Sequence, residues 1–145
     1  MKIRKPTRAG AALGGVVLAL SLALVPGAFA GKGRPSGGST GSTLTGPIMV
    51  ADTNGDGLPN WDDTVTFHVS TSASVPSVEL DCYQNGAIVY QGSTGYYATY
   101  MWPNTYILKS FNWSSGAANC TAILYSTNKR GARTNLATLS FSVNA

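Results

Sequence analysis

Apolar residues recur at every second position in four separate stretches of this chain: Val65, Phe67 and Val69; Val78, Leu80 and Cys82; Cys120, Ala122 and Leu124; and Leu139, Phe141 and Val143. Polar residues occupy most of the positions between. A period of two puts successive side chains on opposite faces of an extended chain, so each stretch reads as a strand with one face in a core and the other in water. Asn85-Gly86, between the Val78 strand and a partner at Ile88–Gln91, specifies a tight hairpin with both central residues at positive φ. A short apolar strand at Pro47–Ala51 and another near Tyr106–Phe111 bring the count to about seven, with Ser93–Asn104 as an irregular strand or long loop. No helical period appears beyond the first 30 residues. Short strands punctuated by turn residues predict an all-β chain folded as an antiparallel immunoglobulin-like sandwich.

The N-terminus follows a different rule. Lys2, Arg4, Lys5 and Arg8 precede an apolar run from Ala9 to about Val25, Pro26 breaks it, and Ala28-Phe29-Ala30 supplies the small-x-small pattern of a signal peptidase site. A secretory signal over residues 1–30 is therefore expected. An uncleaved membrane anchor is the alternative for a run of this length; the glycines, Pro26 and the cleavage pattern argue against it. Four of the ten Lys and Arg lie in this segment, which leaves six bases against six acids. The basic character of the whole chain thus belongs to the export signal and gives no reason to expect a nucleic-acid partner. Residues 31–46 carry almost no large apolar group and read as a flexible Gly/Ser/Thr-rich leader. The domain proper is expected at 47–145, exported and free of the membrane once the signal is removed.

Cys82 and Cys120 are the two cysteines. In an oxidising compartment pairing is the default, and closing a loop of about 39 residues stabilises a fold by about 4 kcal/mol in chain-entropy terms. If the Val65 strand is the second (B) of an immunoglobulin-like order, Cys82 falls on C and Cys120 on F, which are neighbours in one sheet. The expected bridge is then a cross-strand one on the inner face. Antibody domains instead bridge B to F between sheets, and the Trp they carry on C is missing here. A catalytic thiol is the alternative, and the presence of a second cysteine argues against it.

The stretch Asp52–Asp63, D-T-N-G-D-G-L-P-N-W-D-D, holds four of the six acidic residues. Calcium wants six to eight oxygens, and a twelve-residue loop supplies them from side chains at positions 1, 3, 5, 9 and 12 and the carbonyl at 7, with a sharp turn at 6. Those positions are Asp52, Asn54, Asp56, Asn60 and Asp63, with the Leu58 carbonyl at 7 and Gly57 at 6. These twelve residues resemble the calcium loop of dockerin modules, D-x-N-x-D-G-x-x-N-x-x-D, at every motif position. The resemblance implies a structural calcium held by these six residues. It ends with the loop: dockerins carry two copies and continue into a helix, whereas Thr64–Ser70 reads as a strand, so cohesin binding is not implied. The loop followed closely by D-T-V-T-F is also similar to bacterial secreted and surface repeats of Ig-like type, which implies an adhesive or structural role.

Aromatic residues crowd the interval from Tyr96 to Trp113. A flat exposed row of them would stack on sugar rings while hydroxyls and indole nitrogens bond at the edges; buried, the same rings would fill the core. The candidate ligand-binding residues are Tyr96, Tyr97, Tyr100, Trp102 and Trp113. His68 falls on the polar parity of its strand. Glu79 and Asp81 lie about 7 Å apart on one strand face and read as solvated, as do Lys129, Arg130 and Arg133 near a hairpin tip. With one histidine and one glutamate, the parts for acid–base or nucleophilic chemistry are few. The expectation is a secreted, non-catalytic domain stabilised by a disulfide and calcium, with a glycan or cell-envelope component as partner. A carbohydrate-binding module using the Tyr96–Trp113 aromatics is the alternative, and a small secreted enzyme comes third.

Overall fold

The structure, a computed structural model, describes residues 35–36 and 41–145; the expected signal over residues 1–30 lies outside them. The strands in chain order are Pro35–Ser36 (β1), Thr43–Ala51 (β2), Thr64–Ser70 (β3), Pro76–Gln84 (β4), Ala87–Gly95 (β5), Tyr106–Ile107 (β6), Ala118–Thr127 (β7) and Arg133–Val143 (β8). No helix occurs among the described residues. All strand pairings are antiparallel and form two sheets, β1-β8-β7-β4-β5 and β2-β3-β6.

Period-two patterning sets which faces meet. Val65 and Phe67 from the smaller sheet and Val78, Leu80, Ala122, Leu124, Leu139, Phe141 and Val143 from the larger one are buried together, while His68, Ser140 and Ser142 of the opposite parity are exposed. Phe67 links the two layers directly: its ring meets Tyr106 edge-on at 5.6 Å and Phe141 of the other sheet at 5.9 Å. The buried Tyr106 hydroxyl donates to the Val78 carbonyl at 2.7 Å, so a strand of two residues is tied across the core to β4. The hairpin between β4 and β5 turns at Asn85 (φ 51°) and Gly86 (φ 80°), the positive pair an Asn-Gly turn requires.

Cys82 and Cys120 stand directly opposite each other on β4 and β7 and are bridged, with their Cα atoms 4.0 Å apart. Both are buried. The expected cross-strand disulfide on the inner face is therefore present, and it joins neighbouring strands of one sheet.

Several boundaries differ from the sequence expectation: within the expected leader, Pro35 and Ser36 form β1 opposite Leu139 and Thr138 of β8. β2 begins at Thr43 and not at Pro47, because Leu44 pairs with Val69 and is fully buried; part of the expected leader thus belongs to the sandwich. β5 continues past Gln91 to Gly95. The strand expected over Tyr106–Phe111 stops at Ile107. Leu108 still bonds across in the β3–β6 register, its N–H to the Asp63 carbonyl at 2.7 Å and its carbonyl accepting from Asp62 N–H at 3.0 Å. Asp62, however, is left-handed (φ 73°), and Lys109 N–H turns back onto the Ile107 carbonyl at 2.7 Å, which ends the pairing. Phe111, past that break, is wholly exposed.

Candidate metal loop and aromatic groove

Between β2 and β3 the chain must reverse within a dozen residues, and Gly55 (φ 76°) and Gly57 (φ 73°) supply the left-handed conformations this needs. Inside the turn, three oxygens converge on one atom. The Asn60 side-chain amide Nδ2 lies 3.4 Å from Asn54 Oδ1, 2.9 Å from Asp56 Oδ1 and 2.9 Å from the Leu58 carbonyl. These are positions 3, 5 and 7 of the calcium pattern, and the amide of position 9 stands at the point they surround.

The two end carboxylates are engaged differently. Asp52 Oδ1 accepts from Gly55 N–H at 2.6 Å and Oδ2 from Gly57 N–H at 2.7 Å. Asp63 is fully buried; its Oδ1 accepts from both the N–H and the hydroxyl of Thr53, each at 2.7 Å, and its Oδ2 from Asn60 N–H at 2.8 Å. A carboxylate oxygen has two lone pairs. Asp63 Oδ1 is thus saturated, whereas Asp63 Oδ2 and both Asp52 oxygens hold one protein donor each. Among the described residues no three acidic, histidine or cysteine side chains form a metal-binding group; what the loop offers is a mixed set of carboxylate, amide and carbonyl oxygens. That set suits a hard cation that takes oxygen of any of these kinds. The fourth aspartate, Asp62, stands apart in a left-handed conformation (φ 73°) and pairs with Lys109, so it already has a counter-ion.

Electrostatics in the loop favour ionised carboxyls. The Leu58 N–H, aided by Asn60 and Asn54, holds the Asp56 carboxyl below the usual carboxylate range. Burial pushes Asp63 up, but the hydrogen bonds from Thr53 and Asn60 outweigh it and leave the group below its ordinary value. A depressed folded pKa contributes stability that is complete above the unfolded value, about 3.9, and is lost as pH falls through the folded one. Melting curves recorded with chelator are therefore expected to be level above about pH 5 and to shift down below about pH 4. A melting temperature unchanged to about pH 2 would contradict this assignment.

The loop is fastened at its far end. Asn144 N–H donates to the Pro59 carbonyl at 2.8 Å and Trp61 N–H to the Asn144 carbonyl at 3.1 Å. The Trp61 indole N–H donates to the Trp113 carbonyl at 2.9 Å.

The candidate aromatics divide into two groups. Trp113 is fully buried, packed edge-on against Tyr90 at 6.5 Å with its indole N–H on the Gly116 carbonyl. It is a core residue, and the expected ligand-facing row does not extend to it. Tyr96, Tyr97, Tyr100 and Trp102 instead come together around a cavity of about 320 Å³ beside Asn104. A larger cleft of about 390 Å³ at the ends of β4, β7 and β8 has Tyr83 as its one aromatic, and Gln84 on its wall is committed to the Ser115 and Ala117 carbonyls.

Other chemistry-bearing residues are engaged or isolated. Arg133 pairs with Glu79 at 2.7 Å and lies 3.9 Å over the Tyr125 ring, which accounts for one of the three bases near the hairpin tip. Sequence reasoning missed Thr53 as the partner of Asp63, Lys109 as the partner of Asp62, and Gly95 beneath the tyrosines. A glycine inside a strand pattern is a signal of close approach, and Gly95 directly before Tyr96-Tyr97 carries it. Comparison with protein-family models, with curated proteins and with solved structures finds no match to this chain.

Proposed function

We propose that this chain is an exported, non-catalytic β-sandwich domain of Ig-like type, held by its disulfide and by one calcium ion in the Asp52–Asp63 loop, with a binding role at the cell envelope. The observation that carries the calcium reading is the convergence of Asn54 Oδ1, Asp56 Oδ1 and the Leu58 carbonyl on a single point. Asp52, Asn54, Asp56, the Leu58 carbonyl, Asn60 and Asp63 are the residues that would hold the ion, and its charge would offset those of Asp52, Asp56 and Asp63 in the β2–β3 connection.

The sheet order supports an Ig-like reading: with β3, β4 and β7 as strands B, C and F, the C and F strands are neighbours as that fold requires. The intrasheet bridge sets the chain apart from antibody domains. Export is supported by the disulfide, which persists in oxidising compartments, and by the signal pattern of residues 1–30. The non-catalytic reading rests on where the reactive groups go: His68 is exposed on an outer face and Glu79 is paired with Arg133.

Calcium binding to the native state alone stabilises it by about 2.7 kcal/mol at a hundredfold excess over Kd. Melting with millimolar calcium is expected to occur well above melting with chelator, and Asp56→Ala and Asn54→Ala are expected to abolish the difference. Equal melting temperatures in calcium and chelator would remove the calcium reading.

A further inference from the structure

The geometry points to a neutral saccharide as the ligand of this domain, bound in the groove formed by Tyr97, Tyr100, Trp102 and Asn104. The inference rests on the binding role proposed above and names its ligand class. The groove is a built feature. The rings of Tyr97 and Tyr100 meet edge to face at 5.3 Å, and Tyr100 N–H closes the turn onto the Tyr97 carbonyl at 2.9 Å. Both rings lie directly on the backbone of Gly95: a Cβ there would fall 2.5 Å from the Tyr100 ring and 2.6 Å from that of Tyr97. No other residue leaves room for this floor.

Both ends of the loop are pinned. Tyr96 N–H donates to the Pro76 carbonyl at 2.8 Å, and the Thr94 hydroxyl to the Pro103 carbonyl at 3.2 Å. The Asn104 carbonyl accepts from the Thr66 hydroxyl at 2.6 Å and the Tyr96 hydroxyl at 3.1 Å. A loop held this way loses little further entropy on binding.

The chemistry of the lining selects the ligand. No charged side chain lines the cavity, so neither a phosphate nor a carboxylate finds a counter-ion there. Trp102 is 70% exposed, which leaves its indole face to a partner and not to the fold. Among the described residues, no hydrogen bond within the protein engages the Tyr97 and Tyr100 hydroxyls, the Trp102 indole N–H or the Asn104 side-chain amide. Tyr97 and Tyr100 stand edge to face and form no flat row, so the stacking face is that of Trp102. This face, with unpaired donors and acceptors beside it, matches a pyranose, with its C–H face and equatorial hydroxyls. The volume of about 320 Å³ stands at the small end of ligand pockets, about 300–1,000 Å³, which suits a short stretch of sugar chain.

The test is affinity electrophoresis and isothermal titration of the protein against a panel of neutral polysaccharides and their oligosaccharides: xylan, mixed-linkage glucan, mannan, starch and chitin. Retention on at least one of them is expected, weakened more than tenfold by Trp102→Ala and by Gly95→Ala. Phe111→Ala, which removes a still more exposed ring outside the groove, is expected to bind as the parent does. Trp102→Ala is expected to melt with the parent, so its loss of binding cannot be assigned to unfolding. No retention on any polysaccharide, retention unaffected by Trp102→Ala, or binding of a proline-rich peptide in place of sugar would overturn the proposal. The calcium-dependent melting shift is read separately, so failure of the groove and failure of the metal loop are distinguishable.

Discussion

Asp63→Ala is expected to melt about 12–24 °C below the parent protein even in chelator, a loss of about 3 kcal/mol in a domain of about 100 residues. The cause is local and independent of metal. Asp63 is fully buried and accepts three hydrogen bonds, from Thr53 N–H, Thr53 hydroxyl and Asn60 N–H. Alanine removes the acceptor and leaves all three donors facing one another around a small void. A hydrogen bond to a charged group is worth about 1.5–3 kcal/mol, and orphaned donors bear a desolvation cost of about 1–3 kcal/mol each, part of which rearrangement of the exposed Thr53 recovers. Asp63→Asn separates the two components. It keeps the shape and one acceptor but aims an NH₂ group at a donor, and is expected to lose about half as much. Differential scanning calorimetry at neutral pH measures both variants; a shift under about 4 °C for Asp63→Ala would remove the carboxylate from its structural role.

Removal of the disulfide is expected to lower stability further than Asp63→Ala does. The bridge joins residues 38 positions apart, and on the chain-entropy account its loss costs about 4 kcal/mol, equivalent to about 16–32 °C. The paired substitution Cys82→Ala with Cys120→Ala leaves two small apolar groups opposite each other on the inner face and no buried thiol. Because the bridge lies within one sheet, the β4–β7 hydrogen-bond ladder remains without it. The expected signature is therefore a lower melting temperature with unchanged far-ultraviolet circular dichroism. Urea unfolding should also give a larger m value, since the unbridged denatured chain exposes more surface. A double variant that melts within about 4 °C of the parent would show that the bridge contributes little to stability.

How far the sequence could be read depended on how many residues carried each signal. β3, β4, β7 and β8 each place three apolar residues on one parity, and their faces were legible from that alone; the Cys82–Cys120 bridge was legible from the presence of two cysteines and an immunoglobulin-like strand order. Leu44 was not, because a single apolar residue among Gly, Ser and Thr has no period; its burial comes from pairing with Val69 at the opposite end of β3. The Tyr106–Phe111 stretch has no clean period of two, so nothing in it marked where the strand ends; the turn of Lys109 N–H back onto the Ile107 carbonyl decides that. Spacing put Asn54, Asp56 and Leu58 in one loop, where their oxygens surround the Asn60 amide nitrogen. It could not reveal that Asp63 spends most of its hydrogen-bonding capacity on Thr53 and Asn60, because spacing describes where a group is and not what else reaches it. The aromatics posed the hardest case. Trp113 and Trp102 look alike in sequence, and only the packing against Tyr90 and the indole bond to the Gly116 carbonyl set Trp113 in the core while Trp102 faces solvent.

The backbone bonds from Asn144 to Pro59 and from Trp61 to Asn144 join positions about 84 residues apart, 144 less 60. Closing so long a span costs chain entropy before it returns any contact. Hairpins such as β4–β5 can form early from neighbouring residues, while the acidic loop finds its anchor only after β8 has docked. The strand that closes the larger sheet therefore also completes the acidic loop: until the segment around Asn144 is in place, the β2–β3 connection lacks its backbone anchor.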